Sequence, residues 1–143
     1  MNEPQDLYEG LPQEVSVALR EEAIEKYGLT AIEVSEDHLL TLGKRGFSEL
    51  QNDLHQVFRA LSNVTHESPG SEAVQQLIDR HYRIIRQLWG TAKMTNPQAI
   101  DYEGLGQLYA DDPRYTMVDG QPKAELAQLM SQAMSHYART VLK

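Results

Sequence analysis

No cysteine occurs among the 143 residues, tryptophan occurs once and phenylalanine twice. Without a thiol the chain forms no disulfide, no thiolate metal site, no iron–sulfur cluster and no cysteine nucleophile, which suits a reducing compartment. No apolar run approaches the ~18 residues of a membrane span, and the N-terminus is acidic where a signal peptide would be basic. A soluble, cytoplasmic protein with no membrane partner is expected. Positive charge is scarce as well: 13 Lys and Arg stand against 21 Asp and Glu, a net charge of −8. Nucleic-acid affinity rests on basic patches that neutralise phosphates, so direct DNA or RNA contact is not expected. The length suffices for one core without metal or disulfide staples, since a chain of this size buries roughly two-thirds of its unfolded surface.

The imbalance of charge is local. Up to Leu40 there are ten acids (Glu3, Asp6, Glu9, Glu14, Glu21, Glu22, Glu25, Glu33, Glu36 and Asp37) against Arg20 and Lys26, and the rest of the chain is formally neutral. Between Gln13 and Gly28, Val15, Leu19, Ala23 and Tyr27 recur at every fourth position, which predicts an amphipathic helix. Residues 1–40 are therefore expected to be an acidic helical segment attached to a helical core over 41–143. The most basic stretch carries Arg80, Arg83, Arg86 and Lys93 against Asp79, a place for the acidic segment to dock.

Helical spacing dominates the remainder. Leu40, Gly43, Phe47, Leu50, Leu54, Val57 and Leu61 alternate steps of three and four, and Ser35 stands where an N-cap would. After the Ser68-Pro69-Gly70 turn, Ser71 predicts the cap of a second helix with Val74, Ile78, His81, Ile85 and Leu88 on one stripe, widened by Leu77 and Ile84, and ended by Gly90. Asn96-Pro97 has the order of an N-cap followed by proline at the first helical position. The segment behind it aligns Tyr102, Leu105 and Tyr109 despite Gly104 and Gly106, and Asp112-Pro113-Arg114 reads as a capped turn with a local ion pair. A last helix from about Pro122 should bury Leu126, Met130, Ala133, Met134, Tyr137 and Val141. Tyr115 to Val118 is the best strand candidate and is too short. The expected fold class is all-α.

Catalytic and metal constellations are missing. None of the five histidines lies four residues from another, and none follows a glutamate by three, so the zinc-protease and di-iron spacings are absent. Gly104-Leu105-Gly106 has neither the third glycine nor the preceding strand of a phosphate loop. No enzyme activity, metal or cofactor is expected. His81, alone on an apolar stripe, reads first as a hydrogen-bonded core residue and second as a ligand contact. Tyr82, Trp89, Tyr102, Tyr109 and Tyr137 are core aromatics or, beside the adaptable Met130 and Met134, the lining of an apolar pocket.

The order Tyr102, Gly104-Leu105, Leu108-Tyr109, Asp112, Arg114-Tyr115 resembles the signature of the TipAS family, with Asp112, Arg114 and Tyr115 as its structural close. Lys26-Tyr27-Gly28, the helix bearing His81, Trp89 ahead of the tyrosines, and Ala133 with Tyr137 add to the similarity, which spans most of the chain. The resemblance implies a globin-like helical domain that recognises bulky, largely apolar antibiotics, including peptide-like ones. It implies the effector-binding half of a MerR-type transcription activator, reaching DNA only through a separate helix-turn-helix part, monomeric alone and homodimeric when complete. It also implies that the N-terminal helices close over the ligand as a lid. The cysteine with which thiopeptide-binding members trap ligand is missing, and Gly104 stands in the corresponding stretch. Phe47, Leu50, Leu54, His81, Tyr82, Ile85, Trp89, Tyr102, Leu105, Tyr109, Met130 and Met134 are the expected ligand contacts. Two other functions fit the same residues: a stand-alone protein that sequesters drug, and an interaction module whose Leu40 to Leu61 seam meets a partner helix.

Overall fold

A computed structural model of the chain describes residues 13–142. The first twelve residues of the acidic segment lie outside the described residues, as do the Val15 and Leu19 side chains. Among the described residues five α-helices follow one another: α1 (Gln13–Tyr27), α2 (Leu29–Ser62), α3 (Glu72–Trp89), α4 (Ala99–Asp111) and α5 (Ala124–Thr140), with a 3-10 turn at Pro113–Thr116 between the last two. Among the described residues the only β-pairing is an isolated bridge of Val118 with Gln121, so the chain is all-α. Contacts gather the residues into two units, one of residues up to 51 with 85–93, the other of 52–84 with 94 onward.

In the second unit α4 packs along α5. The apolar stripes of α3 and α5 give Val74, Ile78, Leu126, Met130, Ala133 and Met134 no exposure at all. Gly106 makes the approach of α4 to α5 close: a Cβ there would meet Met134 Cβ at 3.3 Å and the Ser131 backbone at 3.4 Å. Gly104, two residues back and so on the opposite, exposed side of the helix, faces open space. Gly104→Ala should therefore stabilise the fold by about 0.5–1 kcal/mol through helix propensity. The same gain at Gly106→Ala is offset by overpacking of about 1–3 kcal/mol. Urea denaturation should rank Gly104→Ala above wild type and Gly106→Ala at or below it.

Caps locate the ends of α3. Ser71 Oγ accepts from the amide of Val74 at 3.3 Å, the expected N-cap. At the other end Gly90 adopts φ 76°, its amide reaches the Gln87 carbonyl at 3.1 Å, and the Thr91 amide reaches Arg86 at 3.0 Å. That pair of bonds is a Schellman motif, and its left-handed residue favours glycine.

Several local expectations change. Ser35 is not an N-cap: α2 begins at Leu29, directly after the break at Gly28, so Ser35 lies inside the helix and donates its hydroxyl to the Leu88 carbonyl. The Leu40 to Leu61 seam is not one uninterrupted helix, because Gly43 sits at φ 73°, ψ 174°. Asn96-Pro97 does not start α4. Asn96 Oδ1 accepts from the Gln98 amide at 2.9 Å, an Asx turn, and Gln98 itself is left-handed before Ala99. Val141 is 59% exposed while Leu142 is 6% exposed, since α5 ends at Thr140 and the chain turns. In α1, i+4 steps advance about 400°, so the row from Val15 winds about 40° further at each step, and Tyr27 at its end is 43% exposed.

Candidate ligand-recognition site

The second unit holds a polar aromatic cluster built on α3. His81 has no solvent exposure, its Nδ1 lies 2.7 Å from the Tyr102 hydroxyl, and its Nε2 lies 3.1 Å from that of Tyr109. Tyr102 also donates to the Ile78 carbonyl at 3.3 Å. One proton pattern satisfies every group: Tyr109 donates to Nε2, Nδ1–H donates to Tyr102, and Tyr102 donates to Ile78. Phe58 tilts against His81 with centroids 5.9 Å apart and meets Tyr109 edge-on at 6.2 Å. Burial holds His81 neutral, lowering its pKa from 6.5 to about 3, and raises the Tyr102 phenol well above its ordinary value. The core reading of His81 as a hydrogen-bonded residue is what this geometry gives.

Beside this cluster the rings continue outward. Tyr82 meets Tyr102 edge-on at 5.2 Å and Tyr137 at 5.4 Å, and its hydroxyl donates to the Pro97 carbonyl at 2.9 Å. Tyr137 donates to Asp79 Oδ1 at 2.6 Å, and Arg83 donates to Asp79 Oδ2 at 2.9 Å. Burial pushes the Asp79 carboxyl up, but the bonds from Tyr137 and Arg83 outweigh it and hold its pKa below the usual value. Burial and the neighbouring Asp79 raise the Tyr137 phenol. Asp79 and Phe58 join the cluster without having been singled out for it. The i,i+4 relation of Asp79 to Arg83 was a legible signal, whereas the long-range bond to Tyr137 had none.

The signature residues have local tasks. Asp112 caps the 3-10 turn by accepting from the Arg114 amide at 3.1 Å, and the Arg114 guanidinium closes back on the same carboxylate through Nε at 2.8 and 2.9 Å. Tyr115 stacks on Tyr109 at 6.4 Å. The expected capped turn and ion pair are both present.

Among the predicted ligand contacts, His81, Ile85, Tyr102, Leu105, Tyr109, Met130 and Met134 are buried. Phe47, Leu50, Leu54, Tyr82 and Trp89 are half-buried. Within the second unit the structure brings His81, Tyr82, Tyr102 and Tyr109 together. Phe47, Leu50 and Trp89 belong to the first unit. The basic stretch is partly committed elsewhere: Arg83 pairs with Asp79, and the buried Arg86 donates to the Thr91 carbonyl. In the acidic segment Glu36, 4% exposed, is held by Arg20 through Nε at 2.8 Å and Nη2 at 2.9 Å.

Among the described residues no group of His, Asp and Glu is placed to hold a metal ion, and no helix is long and apolar enough to cross a membrane. A model of the TipAS antibiotic-recognition domain matches residues 19–137. No curated protein and no solved structure matches the chain.

Proposed function

Because the chain belongs to the TipAS antibiotic-recognition family, we propose that it binds a bulky, largely apolar small molecule without a covalent bond, as the sensing part of a MerR-type regulator. The family match over 119 of the 143 residues carries this reading. The absence of any thiol removes conjugate addition by cysteine and leaves shape and apolar burial to hold the ligand. In the first unit the half-buried Phe47, Leu50 and Trp89 offer apolar surface that a ligand can reach without opening the His81 core. DNA contact falls to a separate domain, in keeping with the net charge of −8.

Burying about 400 Å² of apolar surface at ~25 cal/mol per Å² gives about 10 kcal/mol before costs. Rigid-body entropy and side-chain ordering remove several kcal/mol, which leaves micromolar affinity. Trp89, the sole tryptophan, reports binding directly. Titration with thiostrepton and a panel of large apolar antibiotics should change its emission saturably for at least one compound, with a micromolar midpoint and full reversal on dialysis. Silence across the panel, together with self-association that grows with concentration, would replace this reading with a helical interaction module.

A further inference from the structure

The apolar spacing of α2 runs without a phase shift from Leu40 through Gly43 to Leu61, yet the helix is broken inside that run. Gly43 adopts φ 73°, ψ 174°, a region open essentially to glycine alone. Sterics do not demand glycine there, because a Cβ would meet nothing within 4 Å. The residue's lack of a side chain serves its backbone angles. Three positions on, a Cβ at Gly46 would stand 3.1 Å from Leu42 Cβ. In a regular helix residues four apart keep their Cβ atoms about 5–6 Å from each other, so this crowding belongs to the broken form only. Two glycines therefore permit the break, while the spacing of the apolar residues fits an unbroken helix.

The part of α2 before the break is held at the end of α3. Ser35 donates to the Leu88 carbonyl, His38 Nε2 lies 3.2 Å from Gln87 Oε1, and Gly90 packs so tightly that a Cβ there would be 2.9 Å from His38 Cβ and 3.1 Å from the Val34 carbonyl. Arg20 on α1 grips the buried Glu36 in the same stretch. These contacts form a latch on the stretch before the break.

We propose that α2 is a two-state element, broken at Gly43 while Val34 to His38 are latched onto the end of α3, and continuous from Leu29 to Ser62 once that latch opens. In the continuous state Leu40, Phe47, Leu50 and Leu54 share one helix face, so latch and apolar face are coupled. Neither state of α2 requires a ligand.

Backbone carbon chemical shifts of Leu42 to Gly46 test it in the free protein. Wild type should show non-helical values at Gly43. Gly90→Ala, whose added Cβ would stand 2.9 Å from His38 Cβ and 3.1 Å from the Val34 carbonyl and so push that stretch off the end of α3, should raise the helical population at Gly43 at least tenfold. Ser35→Ala, which leaves the end of α3 intact, should move the same resonances in the same direction by less. Gly43→Ala should make them helical outright, and a D-alanine at position 43 should keep them non-helical in a chain as stable as wild type. Non-helical shifts at residues 42–46 in folded Gly90→Ala and Ser35→Ala would overturn the proposal. So would a Gly43→Ala chain that loses its cooperative transition while the latch variants stay broken.

Discussion

Acidification from pH 7 to pH 5 should cost the fold about 2 kcal/mol, and the loss should trace to His81. Its folded pKa is depressed by burial to about 3 from an unfolded value of 6.5. Between those two values the unfolded chain binds a proton at this site and the native chain does not. Unfolding then takes up protons, so stability rises with pH across the window and is lost as pH falls through it. At pH 5 the unfolded histidine is about 1.5 units below its pKa, and at 1.36 kcal/mol per unit the penalty is about 2 kcal/mol. The penalty grows until pH reaches about 3. The groups that touch the ring are Tyr102 and Tyr109 from α4 and Phe58 from α2, and none offers a negative charge to an imidazolium. The nearby Asp79 is engaged by Tyr137 and Arg83.

Urea titrations at pH 7 and pH 5 measure the effect. With a slope of about 2 kcal/mol per molar for a domain this size, the midpoint should fall by roughly 1 M. His81→Gln, which keeps a hydrogen-bonding side chain but does not titrate, should lower stability at pH 7 and flatten the acid limb. A variant whose pH dependence ran parallel to wild type between pH 6.5 and pH 4 would show that some other group drives the acid loss.

How much of this was legible follows from the range of the interactions. The stripes of α3 and α5 are visible in the sequence because the burial of Val74, Ile78, Leu126, Met130 and Met134 follows the helical period. Ser71, Gly90 and Asp112 are visible because caps act over two to five residues. What escaped was set at a distance. Ser35 has the chemistry of an N-cap, but Leu88, 53 residues away, takes its hydroxyl. Gly43 fits the seam as a small residue, and the apolar spacing gives no sign that its backbone leaves the helix there. Asn96 caps a turn rather than a helix, since both readings begin with the same side-chain oxygen accepting a nearby amide. For the site, helical spacing marks His81 on the apolar stripe of its helix and aligns Tyr102 with Tyr109 on a later one, but a buried ring and a ligand-lining ring share the same periodicity.

Truncation separates those two roles. Tyr102 has no solvent exposure, meets His81, Tyr82 and Tyr137, and closes the proton pattern through Ile78. Tyr102→Ala should cost about 3–5 kcal/mol, as deletion of a buried aromatic does, a large part of the 5–15 kcal/mol that holds a domain together. Tyr102→Phe isolates the hydroxyl. It keeps the ring contacts but leaves His81 Nδ1–H with no acceptor in an apolar setting, at about 1–3 kcal/mol. If the Tyr102 hydroxyl served a ligand instead, Tyr102→Phe would leave stability unchanged and alter binding alone. Phe47→Ala gives the opposite pattern: a half-buried side chain outside the His81 cluster should lose about 1 kcal/mol of stability or less, while any antibiotic that shifts Trp89 emission should bind roughly tenfold more weakly, a loss of about 1.4 kcal/mol. Thermal melts and Trp89 titrations on the same three variants therefore place each residue in the packed core or in the ligand contact. A ligand that bound Phe47→Ala as tightly as wild type would move the contact surface away from the first unit.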